Sequence, residues 1–431
     1  MKIYHLSSKE GQNFLANLCH RFQALPKDYE ENVIKIISEV KERGDEALIA
    51  YTQRFDCPDF ALDQLKVSSE EIEAAYDQID RDILESIRLS IKNVRCFHEE
   101  QRERSFIQTK ANGAIVGQLV RPIDRAGLYI PGGTGGETPL VSTVIMTAVP
   151  AKVAGVEQVI MTSPPNKESK LHPALLVAAA EAGVDEIYRL GSAWAIAAMA
   201  YGTESVPKVD VICGPGNIYV TLAKRLLSGE VGIDIVAGPS EILIVADETA
   251  RPDWVAADLL SQAEHDPLAT AVLVTPSEKL AKKTIKEISK QLPKLPRQKI
   301  AKRALENQGG ILVVADLNEA LEVANQIAPE HLELALAEPW KWVTKVKHAG
   351  AVFLGHYTPE AVGDYIAGPN HVLPTMGCAR YASALSVEVF LKKTSVISYS
   401  SESLKEEAWA VIRLAELEGL TAHAHSVKVR L

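Results

Sequence analysis

From Ala126 onward the chain alternates short β-branched runs with longer helical stretches, and no other feature restricts its fold so tightly. A first series of runs covers Gly127 to Ile130, Gln158 to Met161, Glu186 to Leu190, Val209 to Ile212 and Ile233 to Val236. A second covers Ile242 to Val245, Ala271 to Val274, Ile311 to Val314 and Ala351 to Phe353. Between them lie segments long enough for crossover helices, such as Pro139 to Ala154, Pro173 to Ala182 and Asp253 to His265. Strands alternating with helices predict parallel sheets covered by helices, and the two series predict two α/β domains.

The first hundred residues carry helical spacing instead, in Val33, Ile36, Ile37 and Val40, and again in Ile83, Ile87 and Ile91. Ser68-Ser69-Glu70-Glu71 has the form of a helix start. After Tyr381 the pattern turns helical again, with Leu404 to Leu417 amphipathic. The residues beyond it, which include His423 and His425, belong to neither strand series and predict a small separate arm.

A formal net charge of -10 argues against a nucleic-acid partner, which calls for a basic face to displace phosphate counterions. No apolar run reaches a membrane-spanning length, since even Val141 to Val156 is interrupted by Pro150 and Lys152. The first residues lack the features of a secretory signal, so the expected compartment is the cytoplasm. Five scattered cysteines, with no C-x-x-C pair, suggest neither a disulfide framework nor a cysteine zinc site.

Two glycine-rich turns follow predicted strands: Pro131 to Gly136, and Gly214-Pro215-Gly216-Asn217. Turns of this kind can bring backbone amides close to a phosphate, although neither has the G-x-G-x-x-G spacing and either can be a plain strand-to-helix connection. On the helix ending near His265, Gln262 and His265 lie one turn apart on one face. Alone that pair reads more readily as a solvated helix end than as a metal site. Downstream stand Glu330-His331, Asp364, His371 and His423, and seven of the eleven histidines fall at or after position 265, which leaves a metal site open without requiring one.

The strings Pro-Gly-Gly at 131–133, Gly-Pro-Gly-Asn at 214–217, Ala-Gly-Pro-Ser-Glu at 237–241, Ser-Gln-Ala-Glu-His at 261–265, Ala-Pro-Glu-His-Leu-Glu at 328–333 and Leu-Thr-Ala-His at 420–423 together resemble the histidinol dehydrogenase family, in order and across nearly the whole chain. The resemblance implies zinc held by Gln262, His265, Asp364 and His423, with His423 supplied by the other subunit of a homodimer. Such a ligand set suits Zn²⁺ and leaves Mn²⁺ or Co²⁺ as replacements. It further implies an NAD-linked, two-step oxidation of histidinol to histidine in which His331 takes the hydroxyl proton and Glu330 activates water. Because neighbouring residues on a strand point to opposite faces, Glu330 and His331 can share a site only if the Pro329 turn distorts the backbone.

Ser240, His371 and Glu418 are implied substrate contacts, alongside Gln262, His265, His331, Asp364 and His423. Tyr129 and Asn217 are implied cofactor contacts. Trp194 is counted with them as a departure, because it stands where many relatives carry glutamine; its indole can stack on the cofactor or fill the core. The expected organisation is a helical segment over 1–25, a first α/β domain of 26–125 plus 239–380, a second, NAD-binding α/β domain over 126–238, and a dimerisation arm over 381–431. Both sheet domains are expected to be Rossmann-like but incomplete. Three other chemistries stay open: oxidation of another small alcohol, zinc-dependent hydrolysis with Glu330 acting on water, and a thiohemiacetal route through Cys213 or Cys378.

Overall fold

Two parallel sheets with the same internal winding organise the protein, whose computed structural model describes all residues except 22–26, 133–137 and 236–237. Part of the expected Pro131 to Gly136 turn, and Val236 and Ala237, therefore lie outside the described residues. In chain order the strands are β1 (Lys2–His5), β2 (Phe106–Thr109), β3 (Ile115–Pro122), β4 (Arg125–Tyr129), β5 (Gln158–Ser163), β6 (Glu186–Arg189), β7 (Val211–Cys213) and β8 (Gly232–Ile233). They continue as β9 (Glu241–Ala246), β10 (Thr270–Thr275), β11 (Gly310–Val313), β12 (His331–Ala335), β13 (Ala351–Leu354) and β14 (Leu391–Ser398).

The five-stranded sheet runs β6-β5-β4-β7-β8 and the six-stranded sheet β1-β11-β10-β9-β12-β13, each with parallel pairing throughout. In each, the winding starts at an inner strand, β4 or β9, goes two strands one way and returns to go two the other. This is the doubly wound, Rossmann-like arrangement. Both sheets are covered on two faces, and their strands are correspondingly apolar almost without interruption. Ile242 and Ile244 enter one core while Leu243 and Val245 enter the opposite one, as alternation along a strand requires.

Helices Val141–Ala154, Pro173–Ala182 and Ser192–Tyr201 are buried nearly all round, because each lies between the five-stranded sheet and a further helical layer. That outer layer comes from the N-terminal region. The Val33, Ile36, Ile37 and Val40 stripe of helix Lys27–Arg43 packs with Trp194, Ile196 and Tyr129, and Ile87, Ile91 and Val94 of helix Arg81–Glu99 join Val144, Ala148 and Leu175. Helices of residues 27–99 thus cover the 126–238 sheet, where all-apolar helices offer them a surface. The expected helix start at Ser68 is present, with Ser68 Oγ accepting from Glu71 N at 3.3 Å and Glu71 Oε2 accepting from Ser68 N at 3.1 Å.

Two strands lie in segments expected to be helical. Lys2–His5 forms β1 and pairs with β11, Tyr4 stacking on Phe14 with ring centroids 4.5 Å apart. Phe14 in turn lies so close over Gly310 that a Cβ there would sit 2.3 Å from its Cζ, so this edge needs glycine. In the arm, β14 pairs antiparallel with β3, and β3 with β2, before helices Ser401–Leu417 and Thr421–Lys428.

Candidate active site

The amino ends of β9 and β12, adjacent in the six-stranded sheet, bring the first functional groups together. Helix Leu317–Ile327 ends with Ala328 in the left-handed region, at φ 50°, and Pro329 follows. This kink lets Glu330 and His331 both reach the first residue of β9. Glu330 Oε2 accepts from Glu241 N at 2.8 Å, and His331 Nδ1 lies 2.9 Å from Glu241 O. A carbonyl oxygen only accepts, so Nδ1 carries the proton and Nε2 of the neutral ring is bare. Glu330 Oε2 and His331 Nδ1 are 3.6 Å apart, so the distortion that the sequence demanded is present.

Around the bare Nε2 stands a cluster of acids. Among the described residues, His331, Glu360 and Asp364 are the one group of three histidine, cysteine or acidic side chains whose ligand atoms lie within 4.8 Å of one another. Glu360 and Asp364 share a face of the short helix Glu360–Tyr365, four residues apart. His331 Nε2 is 3.7 Å from Glu360 Oε1, and His371 Nδ1 is 3.4 Å from Asp364 Oδ1. Burial pulls His331 down to about 4, so its ring is neutral at physiological pH. Burial also pushes Glu360 up to about 9 and Glu330 well up, whereas His371 overcomes the same burial at Asp364 and holds it at about 2.

Gln262 lies in the last turn of helix Pro252–Ala263 and is buried, with Oε1 unpartnered. His265 is exposed just beyond that helix, near enough for its charge to act on His331. Ser240 immediately precedes β9, its main-chain oxygen accepting from Thr270 N at 3.0 Å. The orphaned buried atoms here, Gln262 Oε1, His331 Nε2 and Glu360 Oε1, are all electron-pair donors without a hydrogen to receive. A cation satisfies such a set, so the residues fit a divalent metal.

Glu418 and His423 are not in this cluster. Both are exposed on the arm. Of the implied cofactor contacts, Tyr129 is buried, its hydroxyl accepting from Ser192 N at 3.1 Å. Asn217 caps helix Ile218–Leu227, accepting from Tyr219 N at 3.0 Å and Val220 N at 3.2 Å. Trp194 is 3% exposed and stacks on Tyr51 and Phe55, each with centroids 5.7 Å away. Its indole thus fills the core, with Nε1 unpaired. Cys213 is fully buried and its thiol pushed well up, which disfavours a thiolate there.

Sequence reading missed two members. Glu360 could have been found from its i, i+4 relation to Asp364 behind Thr358-Pro359. Arg21 could not: its guanidinium forms a buried ion pair with Glu241, through Nε and through Nη2 at 2.7 Å, from 220 residues away.

Two doubly wound sheets, with a neutral histidine and a carboxylate cluster at the amino ends of inner strands of one, define an α/β enzyme of the Rossmann-like class. The family model for histidinol dehydrogenase matches residues 20–431. The histidinol dehydrogenase of Desulfotalea psychrophila is 55% identical over 426 residues, 99% of this chain and 98% of that relative. That of Geobacillus kaustophilus is 54% identical over 399 residues, 93% of each. The crystal structure of the Elizabethkingia anophelis enzyme superposes with a TM-score of 0.93 at 38% identity, covering 100% of this chain and 98% of that one. The chain belongs to the histidinol dehydrogenase family.

Proposed function

We propose that the protein oxidises L-histidinol through L-histidinaldehyde to L-histidine, with NAD as acceptor and one zinc per subunit. The observation that carries this reading is the 55% identity to a histidinol dehydrogenase across 99% of the chain. Gln262, His265 and Asp364, with His423 from the arm of a second subunit, would hold the zinc. Bound there, the metal supplies a fixed anchor for the substrate's nitrogens, and NAD, seated near Tyr129 and Asn217, supplies the hydride acceptor.

The chain's own groups then divide the work. His331 takes the hydroxyl proton on Nε2, the nitrogen left bare by the bond from Nδ1 to Glu241 O, as carbinol hydrogen leaves as hydride. Glu330, with Oε2 anchored on Glu241 N, draws the proton from a water that adds to the aldehyde carbon, giving a hydrate from which the second hydride leaves. Each turnover therefore consumes two NAD and one water. Ser240, His371 and Glu418 orient the substrate, and holding the reacting atoms at close range lowers the entropic part of the barrier.

A homodimer with shared sites is part of the proposal. Supporting it, the arm exposes Trp409, Leu414, Leu417, Val429 and Leu431 together with Glu418 and His423. We place the enzyme in the cytoplasm, in keeping with five free cysteines. Among the described residues no helix is long and apolar enough to cross a membrane.

The test is to incubate purified protein with histidinol, NAD and zinc and to follow NADH. Two NADH per histidinol is the expected yield, and no NADH overturns the reading. A panel of other small alcohols separates histidinol from an alternative substrate, and hydrolysis without NAD would favour a zinc hydrolase.

A further inference from the structure

The kink that carries Glu330 and His331 into the site is held from outside by Arg21. Ala328 keeps a left-handed backbone, at φ 50°, which an alanine retains only where its surroundings fix it. The C-termini of helices Lys9–Cys19 and Leu317–Ile327 converge there, Cys19 Sγ lying 3.4 Å from Gln326 O, and a cation is favoured at such helix ends. Arg21 Nη1 donates to Leu18 O and, at 2.9 Å, to Ile327 O. Nη2 donates to Ala328 O at 3.4 Å and to Glu241 Oε2 at 2.7 Å, and Nε donates to Glu241 Oε1. All five N–H bonds of the guanidinium are thereby engaged. Glu241 passes the constraint on. Its carboxylate accepts from Glu330 N at 3.4 Å and from Met376 N at 3.1 Å. Its main chain binds both proposed catalytic side chains, N donating to Glu330 Oε2 at 2.8 Å and O accepting from His331 Nδ1 at 2.9 Å.

We propose that Arg21 is a positioning residue for both proton transfers: by fixing the Ala328 kink and the first residue of β9 against one another, it holds Glu330 and His331 in the geometry from which they act. The inference rests on the roles given to those two residues above. Arg21 works through Glu241 and the kink, so its loss displaces both side chains together and removes neither. A lysine cannot take its place. An ammonium carries three hydrogens on one nitrogen, which cannot span two carboxylate oxygens and the carbonyls of two helix ends.

The experiment compares the native holoenzyme with Arg21→Lys and with the double variant Arg21→Met, Glu241→Gln, which leaves no stranded charge to unfold the chain. Each is measured for melting temperature, zinc affinity, and KM for histidinol and NAD. The two hydride transfers are followed in single turnovers that start from histidinol and from histidinaldehyde. Moving both side chains by about 1 Å is expected to slow both transfers about 10–100-fold, with zinc affinity and both KM values within about threefold of native. A joint fall separates Arg21 from Glu330, whose loss bears on the second transfer. Trimethylamine N-oxide raises a melting temperature without supplying the missing bonds, so rates in the variants are expected to stay low in its presence. Native rates in either folded variant overturn the proposal. So do rates that recover with the osmolyte, or a zinc affinity that falls in step with them, since both mark general destabilisation. Where the double variant does not fold, Arg21→Lys decides. A native protein that forms no NADH from histidinol sinks the catalytic reading itself, and this inference with it, before any variant is compared.

Discussion

His331 Nδ1 donates to the main-chain oxygen of Glu241 across 2.9 Å, and this bond decides which ring nitrogen can accept a proton. The residue that takes a proton from substrate must present a lone pair, and the carbonyl leaves only Nε2 to do so. His331→Asn is expected to lower kcat about 10²–10⁴-fold, the span of a lost general base, with KM for histidinol and NAD changed by no more than about threefold. Steady-state kinetics check this; a KM rise without a kcat fall would assign His331 to binding instead.

Glu330 should matter most where water is consumed. With histidinaldehyde supplied directly, Glu330→Gln is expected to slow NADH formation by about 10²–10³-fold. The first hydride transfer from histidinol, followed in a single turnover, should slow far less. Equal loss in both steps would remove the water-activating role.

Arg21 neutralises Glu241 in a pocket where both side chains are nearly sealed from solvent, at 6% and 4% exposure. Arg21→Met leaves a buried carboxylate without its cation and is expected to cost about 3–5 kcal/mol of unfolding free energy. Urea denaturation measures it, and a loss below about 1 kcal/mol would mean that the amides of Met376 and Glu330, at 3.1 and 3.4 Å, suffice for Glu241.

Asp56 supplies a pH dependence away from the metal cluster. Burial pushes its carboxyl up to about 7, and Oδ2 has no partner. A raised carboxyl binds its proton more tightly in the folded state, so stability is highest below the unfolded value near 3.8 and falls as pH rises towards 7. Asp56→Asn removes this titration. The stability of the variant relative to the native chain is expected to rise by about 2–4 kcal/mol between pH 4 and pH 8. Melts across that range test it, and a constant difference would mean that Asp56 is ionised throughout.

Much of the fold was legible because both sheets are buried on two faces, which forces uninterrupted β-branched runs such as Ile242–Val245 that stand out against the crossover helices. β1 and β14 were not, since Lys2–His5 is too short to show a period and the face of Leu391–Ser398 is largely polar and exposed. The packing partner of residues 27–99 was equally hidden: an apolar stripe announces that it will be buried, not against which sheet. Gln262, His331, Asp364 and His371 could be singled out through the resemblance to the histidinol dehydrogenase family, whereas each residue type alone has a structural reading as ordinary. Glu360 was legible only through its i, i+4 relation to Asp364, since an acid in a first helical turn is by itself ordinary helix chemistry. Arg21 depends on a separation from Glu241 that no local pattern encodes.

The pairing of β1 with β11 imposes an order on how the molecule can be made. A ribosome releases Lys2 some three hundred residues before Gly310, so the first strand must wait, unmatched, until most of the polypeptide has emerged. Until then the six-stranded unit lacks its outer border, whereas every strand of the five-stranded unit has appeared by residue 233. The half that bears the chemistry is therefore the last to close, and trimming the first six residues would leave β11 as a bare rim open to pairing with a neighbour.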